Sequence, residues 1–211
     1  MEQWILNPSR RMTYGCFLSG IDTPSLALKH LGHDIEHVFA VASDIHVADL
    51  FRENAMTSLL VANALESVSI SHLPRVDIFS WSLPTRLPLA DENGTEEEVC
   101  ADQMDAIRLQ WLEKGWHYVK TRSPLLFIFE ADPAFLRTPH FDMHLENMSE
   151  SYIPEIQTLD ASDFGSLQRR RRTFVIGQQA TILRMPRPIR SAKTLQSILE
   201  EGEVSEGEIT S

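Results

Sequence analysis

Only two cysteines, Cys16 and Cys100, occur in 211 residues, which excludes a disulfide framework. No Cys/His set has zinc-site spacing, so no metal is expected. No apolar run approaches the roughly 20 residues that a membrane-crossing helix needs. The first eleven residues carry two arginines and no apolar stretch of the signal-peptide kind. These absences predict a protein of a reducing compartment, cytoplasmic or nucleoid/nuclear, not secreted and without a membrane partner. Positive charge is also scarce, with 19 Lys and Arg against 30 Asp and Glu and a net charge of -11. A chain that gripped a phosphate backbone over its whole surface would need the opposite balance.

What is present is unevenly placed. Arg169, Arg170, Arg171 and Arg172 form a run, and Arg184, Arg187, Arg190 and Lys193 follow it. Much of the acidity sits in Glu96, Glu97 and Glu98 and in the tail 200–208. A local basic face on an acidic chain therefore keeps DNA among the partners to consider. With 43% hydrophobic residues the chain can bury one sizeable core.

Apolar periodicity alternates between the two elementary patterns. Short runs at 16–19, 38–42, 76–79, 124–129, 156–159 and 173–176 read as strands. Residues 25–31 read as a helix stopped by Gly32, and residues 47–65 as a helix with Ala48, Phe51, Ala55, Leu59 and Ala62 at spacings of three and four. Residues 102–120 form the clearest amphipathic helix, built on Met104, Ile107, Trp111 and Val119. Residues 80–93 read as loop, and the last dozen as a disordered acidic tail. Alternating strands and helices predict an α/β sheet, mostly parallel, with helices on both faces. In such sheets ligands sit at the carboxyl ends of the strands, which directs attention to Gly20, Ile21, Asp22 and Thr23, to Asp44, to residues 82–86 and to Glu130.

Read in order, those strand ends carry a pattern. Phe17-Leu18-Ser19-Gly20-Ile21-Asp22-Thr23 is followed by a helix; Asp77-Ile78-Phe79-Ser80-Trp81-Ser82-Leu83-Pro84-Thr85-Arg86 ends a strand in a loop; a third strand ends in Phe129-Glu130. Asp163-Phe164-Gly165-Ser166-Leu167-Gln168-Arg169-Arg170-Arg171-Arg172 then precedes the strand from Thr173. In this order the four segments resemble the DNA (cytosine-5) methyltransferases: the Phe-x-Gly-x-Gly-Gly turn that cradles S-adenosylmethionine, the Pro-Cys-Gln loop, the Glu-Asn-Val strand end and the Gln-x-Arg-x-Arg segment. The resemblance covers roughly residues 16–177 and implies a Rossmann-like methyltransferase fold, with 1–185 as core domain and 186–211 as a C-terminal extension.

The family chemistry assigns roles. A thiolate adds to carbon 6 of a flipped-out cytosine while an acid holds ring N3, so that carbon 5 can take the methyl group. The resemblance makes Glu130 that acid and turns Arg170 and Arg172 toward the base or backbone. Gln168 would order the loop, and the whole stretch Gln168, Arg169, Arg170, Arg171 and Arg172 would face DNA. S-adenosyl-L-methionine would lie against Leu18, Ser19, Gly20, Ile21, Asp44 and Pro84. The bland readings stand beside these: a solvated strand-end carboxylate for Glu130, a solvated basic loop for the arginines, a helix N-cap for Asp44.

Departures are specific. Thr85 stands where the catalytic cysteine is expected, and a hydroxyl is a far weaker nucleophile than a thiol near neutral pH. Asp22 and Thr23 replace two glycines, and an aspartate there is expected to repel the methionine carboxylate. Ala131 replaces the asparagine, and the segment that reads DNA sequence in the family has no counterpart before Ser211. His30, His33 and His37 are expected at the surface, Cys16 buried in its strand, and Trp111 and Trp116 in packing. Three readings follow: a catalytically impaired, regulatory or DNA-associated homologue that contacts DNA or an active methyltransferase; one subunit of a split enzyme whose partner supplies target recognition; or a ligand-free protein-interaction module.

Overall fold

The computed structural model describes residues 11–18, 22–42, 45–54, 59–62, 68–83, 101–137, 139–148, 151–179 and 185–188. Seven strands form one sheet: β1 (Met12–Leu18), β2 (Ile35–Ala42), β3 (Leu59–Ala62), β4 (Ile78–Ser82), β5 (Leu126–Ala131), β6 (Ile153–Asp160) and β7 (Arg171–Gln178). Four helices accompany them: α1 (Thr23–His30), α2 (Ile45–Asn54), α3 (Ala101–Arg122) and α4 (Pro139–Met148). The strand order is β3-β2-β1-β4-β5-β7-β6. The first five are parallel neighbours, whereas β7 runs antiparallel to β5 and to β6.

Alternation along each strand explains the two layers. Phe17, Phe39, Phe79, Phe127 and Phe129 point to one face, where Trp111, Leu112, Trp116 and Val119 of α3 and Phe141 and Met148 of α4 cover them. Tyr14, Cys16, Ile78 and Leu126 point to the other, against Leu28 of α1 and Val47 and Phe51 of α2. The first face is an aromatic stack: Phe79 lies 4.2 Å from the Tyr118 ring, and Trp81 lies 4.8 Å from Phe129 and 5.0 Å from Trp116. Trp111 and Trp116 both belong to this core. Helix α1 stops where expected, at Gly32, whose φ of +83° only glycine adopts without strain.

Two local expectations are corrected and one helix is added. The helix expected over 47–65 ends at Asn54, and Leu59–Ala62 is instead an edge strand paired with β2. Four consecutive apolar residues suit either state, and pairing with the buried edge of β2 decides for the strand. Ser80, Trp81 and Ser82, expected in a loop, complete β4 because Trp81 and Ser82 pair with Phe129 and Glu130. Helix α4 was not foreseen; its apolar stripe, Phe141, Leu145 and Met148, is short and interrupted by charge.

The strand order reverses between β1 and β4: β2 and β3 lie to one side, β5, β7 and β6 to the other. In sheets of this kind ligands bind beyond the carboxyl ends of the strands at the switch point, which here are those of β1 and β4.

Candidate active site

Register brings the expected residues to one edge of the sheet. Ser82 pairs with Glu130, and Leu83 N–H donates to the Glu130 carbonyl at 3.1 Å, so β4 leaves the sheet beside Glu130. Glu130 pairs with Phe174 on antiparallel β7, which puts the start of β7, Arg171 and Arg172, at the same edge. Arg172 Nε lies 3.5 Å from Glu130 Oε1, with the two side chains 16% and 22% exposed. Arg172 Nη1 also lies 3.5 Å from Asp132 Oδ2 and donates to the Arg171 carbonyl at 2.9 Å. Burial raises the Glu130 carboxyl above the usual range, against the opposing pull of Arg172 and Arg170. A carboxyl so placed holds its proton to higher pH than a solvated one, which suits donation to a ring nitrogen.

The loop between β6 and β7 is held by Asp160. Its Oδ1 accepts from Ser162 N–H at 3.0 Å, Ser162 Oγ at 2.8 Å and Arg170 N–H at 3.3 Å. These bonds, led by the Ser162 N–H, hold its carboxyl below the ordinary value. Ala161 N–H donates to the Arg170 carbonyl at 3.0 Å, and Gly165 turns the chain at φ +91°. Asp160 thus holds the loop ahead of β7. Gln168 donates through its backbone N–H to Ser166 Oγ at 3.1 Å and is exposed, as are Arg169, Arg170 and Arg171. An aspartate two residues before a serine, with a glycine beyond, is a legible turn signal for Asp160.

Leu18 is the last residue of β1 and stands at the same edge. Ser19, Gly20, Ile21, Asp44, Pro84, Thr85 and Cys100 lie outside the described residues. The Asp22 carboxylate is turned into the fold. The residue is 5% exposed; Tyr14 Oη donates to its Oδ1 at 2.6 Å, Cys16 Sγ lies 3.8 Å from Oδ2 and His37 Nδ1 3.9 Å from it. His37, expected at the surface, is buried at 4% exposure, while Cys16 is buried as expected. No sequence signal could have found this cluster, because its members meet only through the register of three strands.

Leu18 and Asp22 are the described residues of the expected cofactor turn, and the Asp22 side chain is turned inward to Tyr14. Among the described residues no group of three or more His, Cys, Asp or Glu could hold a metal, and no helix is long and apolar enough to cross a membrane.

Fold and edge together define the Rossmann-like fold of the S-adenosylmethionine-dependent methyltransferases. The chain belongs to the C-5 cytosine-specific DNA methylases, whose profile it matches over residues 13–208. Among solved structures it resembles the Entamoeba histolytica methyltransferase EhMeth (TM-score 0.67, 14% identity, covering 88% of this chain and 58% of that one). It resembles also the Dnmt2 methyltransferase of S. pombe (0.63, 13%, 83% and 51%) and a DNMT2 variant of Spodoptera frugiperda (0.62, 19%, 90% and 60%). The chain thus spans between half and three fifths of each. No curated protein sequence matches it.

Proposed function

We propose that this chain is a catalytically impaired cytosine-5 methyltransferase homologue that keeps the base-recognising acid and acts as a regulatory, DNA-associated protein. The observation that supports it is the Arg172–Glu130 pair, 3.5 Å apart at the carboxyl edge of the sheet, in a sequence where Thr85 rather than cysteine follows Pro84. In this reading Glu130 holds cytosine N3 and Arg172 keeps the acid in place. Arg169, Arg170 and Arg171 meet the phosphate backbone, and Gln168 supports the loop. S-adenosyl-L-methionine, the methyl donor of the family, lies beyond Leu18, against Ser19, Gly20, Ile21, Asp44 and Pro84. Without a thiol, carbon 5 of the base is never made nucleophilic enough to attack the methyl group.

The test is a methyl-transfer assay on cytosine-containing DNA, with S-adenosylhomocysteine binding measured alongside by calorimetry. Binding without transfer is the expected result. Transfer by the natural chain alone would sink the proposal, because Thr85 would then be a working nucleophile.

A second reading is one subunit of a split enzyme, in which a second polypeptide supplies target recognition. Transfer that appears only on co-expression with a second polypeptide would favour it.

A further inference from the structure

Asp22 occupies the N-cap position of α1 and yet makes no capping hydrogen bond with its side chain. A capping aspartate stabilises a helix, and the chain forgoes that gain to bury the carboxylate, which is costly unless it is well partnered. Its partners come from the strands beneath. Tyr14 of β1 donates to Asp22 Oδ1 at 2.6 Å and is hydrogen-bonded in turn to Ser80 Oγ of β4. Cys16 of β1 adds a weak S–H contact at 3.8 Å.

The main chain of Asp22 passes this tie on to the helix. Its carbonyl accepts from Leu26 N–H at 3.3 Å and from Ser25 Oγ at 3.2 Å, the first bonds of α1. One side chain therefore links α1, β1 and β4 beneath the switch point. A glycine, the residue of the family motif at this place, has no atom with which to do so. We propose that Asp22, held by Tyr14 and through it by Ser80, is a positioning residue that fixes the N-terminal turn of α1 against β1 and β4, at the sheet edge proposed for the S-adenosyl ligand. The proposal rests on the reading that this ligand is retained.

The donors are of the kind the role requires. Burial, reinforced by the neighbouring Asp22, pushes the Tyr14 hydroxyl and the Cys16 thiol well above their ordinary range, so both keep their protons. His37, whose ring nitrogens have no hydrogen-bond partner among the described residues, is pushed down by burial, against the pull of Asp22 and with the help of Lys29. The carboxylate is thus served by neutral donors and does not depend on a charged histidine at neutral pH.

Tyr14→Phe and Asp22→Asn separate positioning from folding. Both should melt cooperatively, and Ser80→Ala provides a milder probe should Tyr14→Phe fail to fold. The readouts are calorimetry with S-adenosylhomocysteine and amide hydrogen exchange at Leu26. Tyr14→Phe should weaken binding about tenfold and speed Leu26 exchange by a similar factor, as expected for losing one buried hydrogen bond. Ser80→Ala should move both in the same direction by less. Asp22→Asn, which still accepts from Tyr14, should stay within about threefold of the natural chain. A folded Tyr14→Phe with unchanged exchange and unchanged affinity overturns the proposal, as does tighter binding by Asp22→Gly. If the natural chain binds no S-adenosylhomocysteine while Leu26 exchange still rises in Tyr14→Phe, the tie to α1 stands and the ligand reading falls.

Discussion

Arg172 reaches two carboxylates at once: its Nε lies 3.5 Å from Glu130 Oε1 and its Nη1 lies 3.5 Å from Asp132 Oδ2. Asp132 is more than half exposed, at 56%, whereas the Glu130 side chain is 22% exposed. Burial raises the Glu130 carboxyl and Arg172 opposes the rise. The two neighbours should therefore move Glu130 in opposite directions when removed. Arg172→Ala should push its titration midpoint further up; Asp132→Asn should release Arg172 to Glu130 and bring the midpoint down. Carbon-detected NMR titration of labelled glutamate reads both. Equal midpoints in all three proteins would show that the arginine does not govern the acid.

The sign of the Glu130 shift also fixes a stability trend. A carboxyl whose folded pKa lies above its unfolded value binds more protons when folded. Its contribution is fully present below the ordinary carboxyl range and is lost as pH rises through the folded midpoint. Glu130→Gln should accordingly gain in melting temperature relative to the natural chain as pH rises from 4 to 7, and the gain should then level off. A gain that shrinks over that interval would contradict the burial argument.

His37 predicts the opposite slope. Burial lowers its folded pKa, so its neutral form contributes stability above the ordinary imidazole range, and that stability is lost as pH falls through the folded value. The natural chain should lose melting temperature between pH 7 and 5, and His37→Phe should flatten that loss, both read by calorimetry at several pH values.

Gly115 sets a size limit inside α3. A Cβ at this position would lie 2.3 Å from Trp81 Nε1, and Trp81 is wedged between Phe79, Trp116 and Phe129 with no room to retreat. Glycine to alanine in a helix is worth about 1 kcal/mol in propensity, but overpacking a filled core costs about 1–3 kcal/mol. Gly115→Ala should therefore destabilise, by up to about 2 kcal/mol net in denaturant unfolding.

These residues also show what the sequence made legible. The strand ending at Glu130 and the helix ending at Gly32 were readable because apolar periodicity and a glycine stop are local signals. The order of four strand-end segments carried the family, since each segment fixes a loop at one edge. Leu59–Ala62 was misread because an unbroken apolar run has no period, and only its pairing with Phe39–Ala42 makes it a strand. The inward turn of Asp22 was hidden for a related reason: Tyr14, His37 and Ser80 lie 8, 15 and 58 positions away and become its neighbours only when β1, β2 and β4 align.

The arginine run gives the last prediction, and here charge decides. On a chain of net charge -11 any attraction to DNA must come from a local patch, and Arg169, Arg170 and Arg171 are exposed together where Asp160 holds the loop. Each arginine that releases a counterion from single-stranded DNA adds roughly 0.7 to the slope of log affinity against log salt. Changing Arg169 and Arg171 to glutamine should lower that slope by about 1.4 and weaken binding without sequence preference. Arg172→Gln should act differently, because its guanidinium faces Glu130 and Asp132 rather than solvent. Its loss should change discrimination between cytosine and thymine more than the salt slope. Fluorescence anisotropy across a salt series, with single-stranded oligonucleotides differing at a single base, separates the two effects. An unchanged slope in the double variant would remove the basic loop from the DNA-contacting surface.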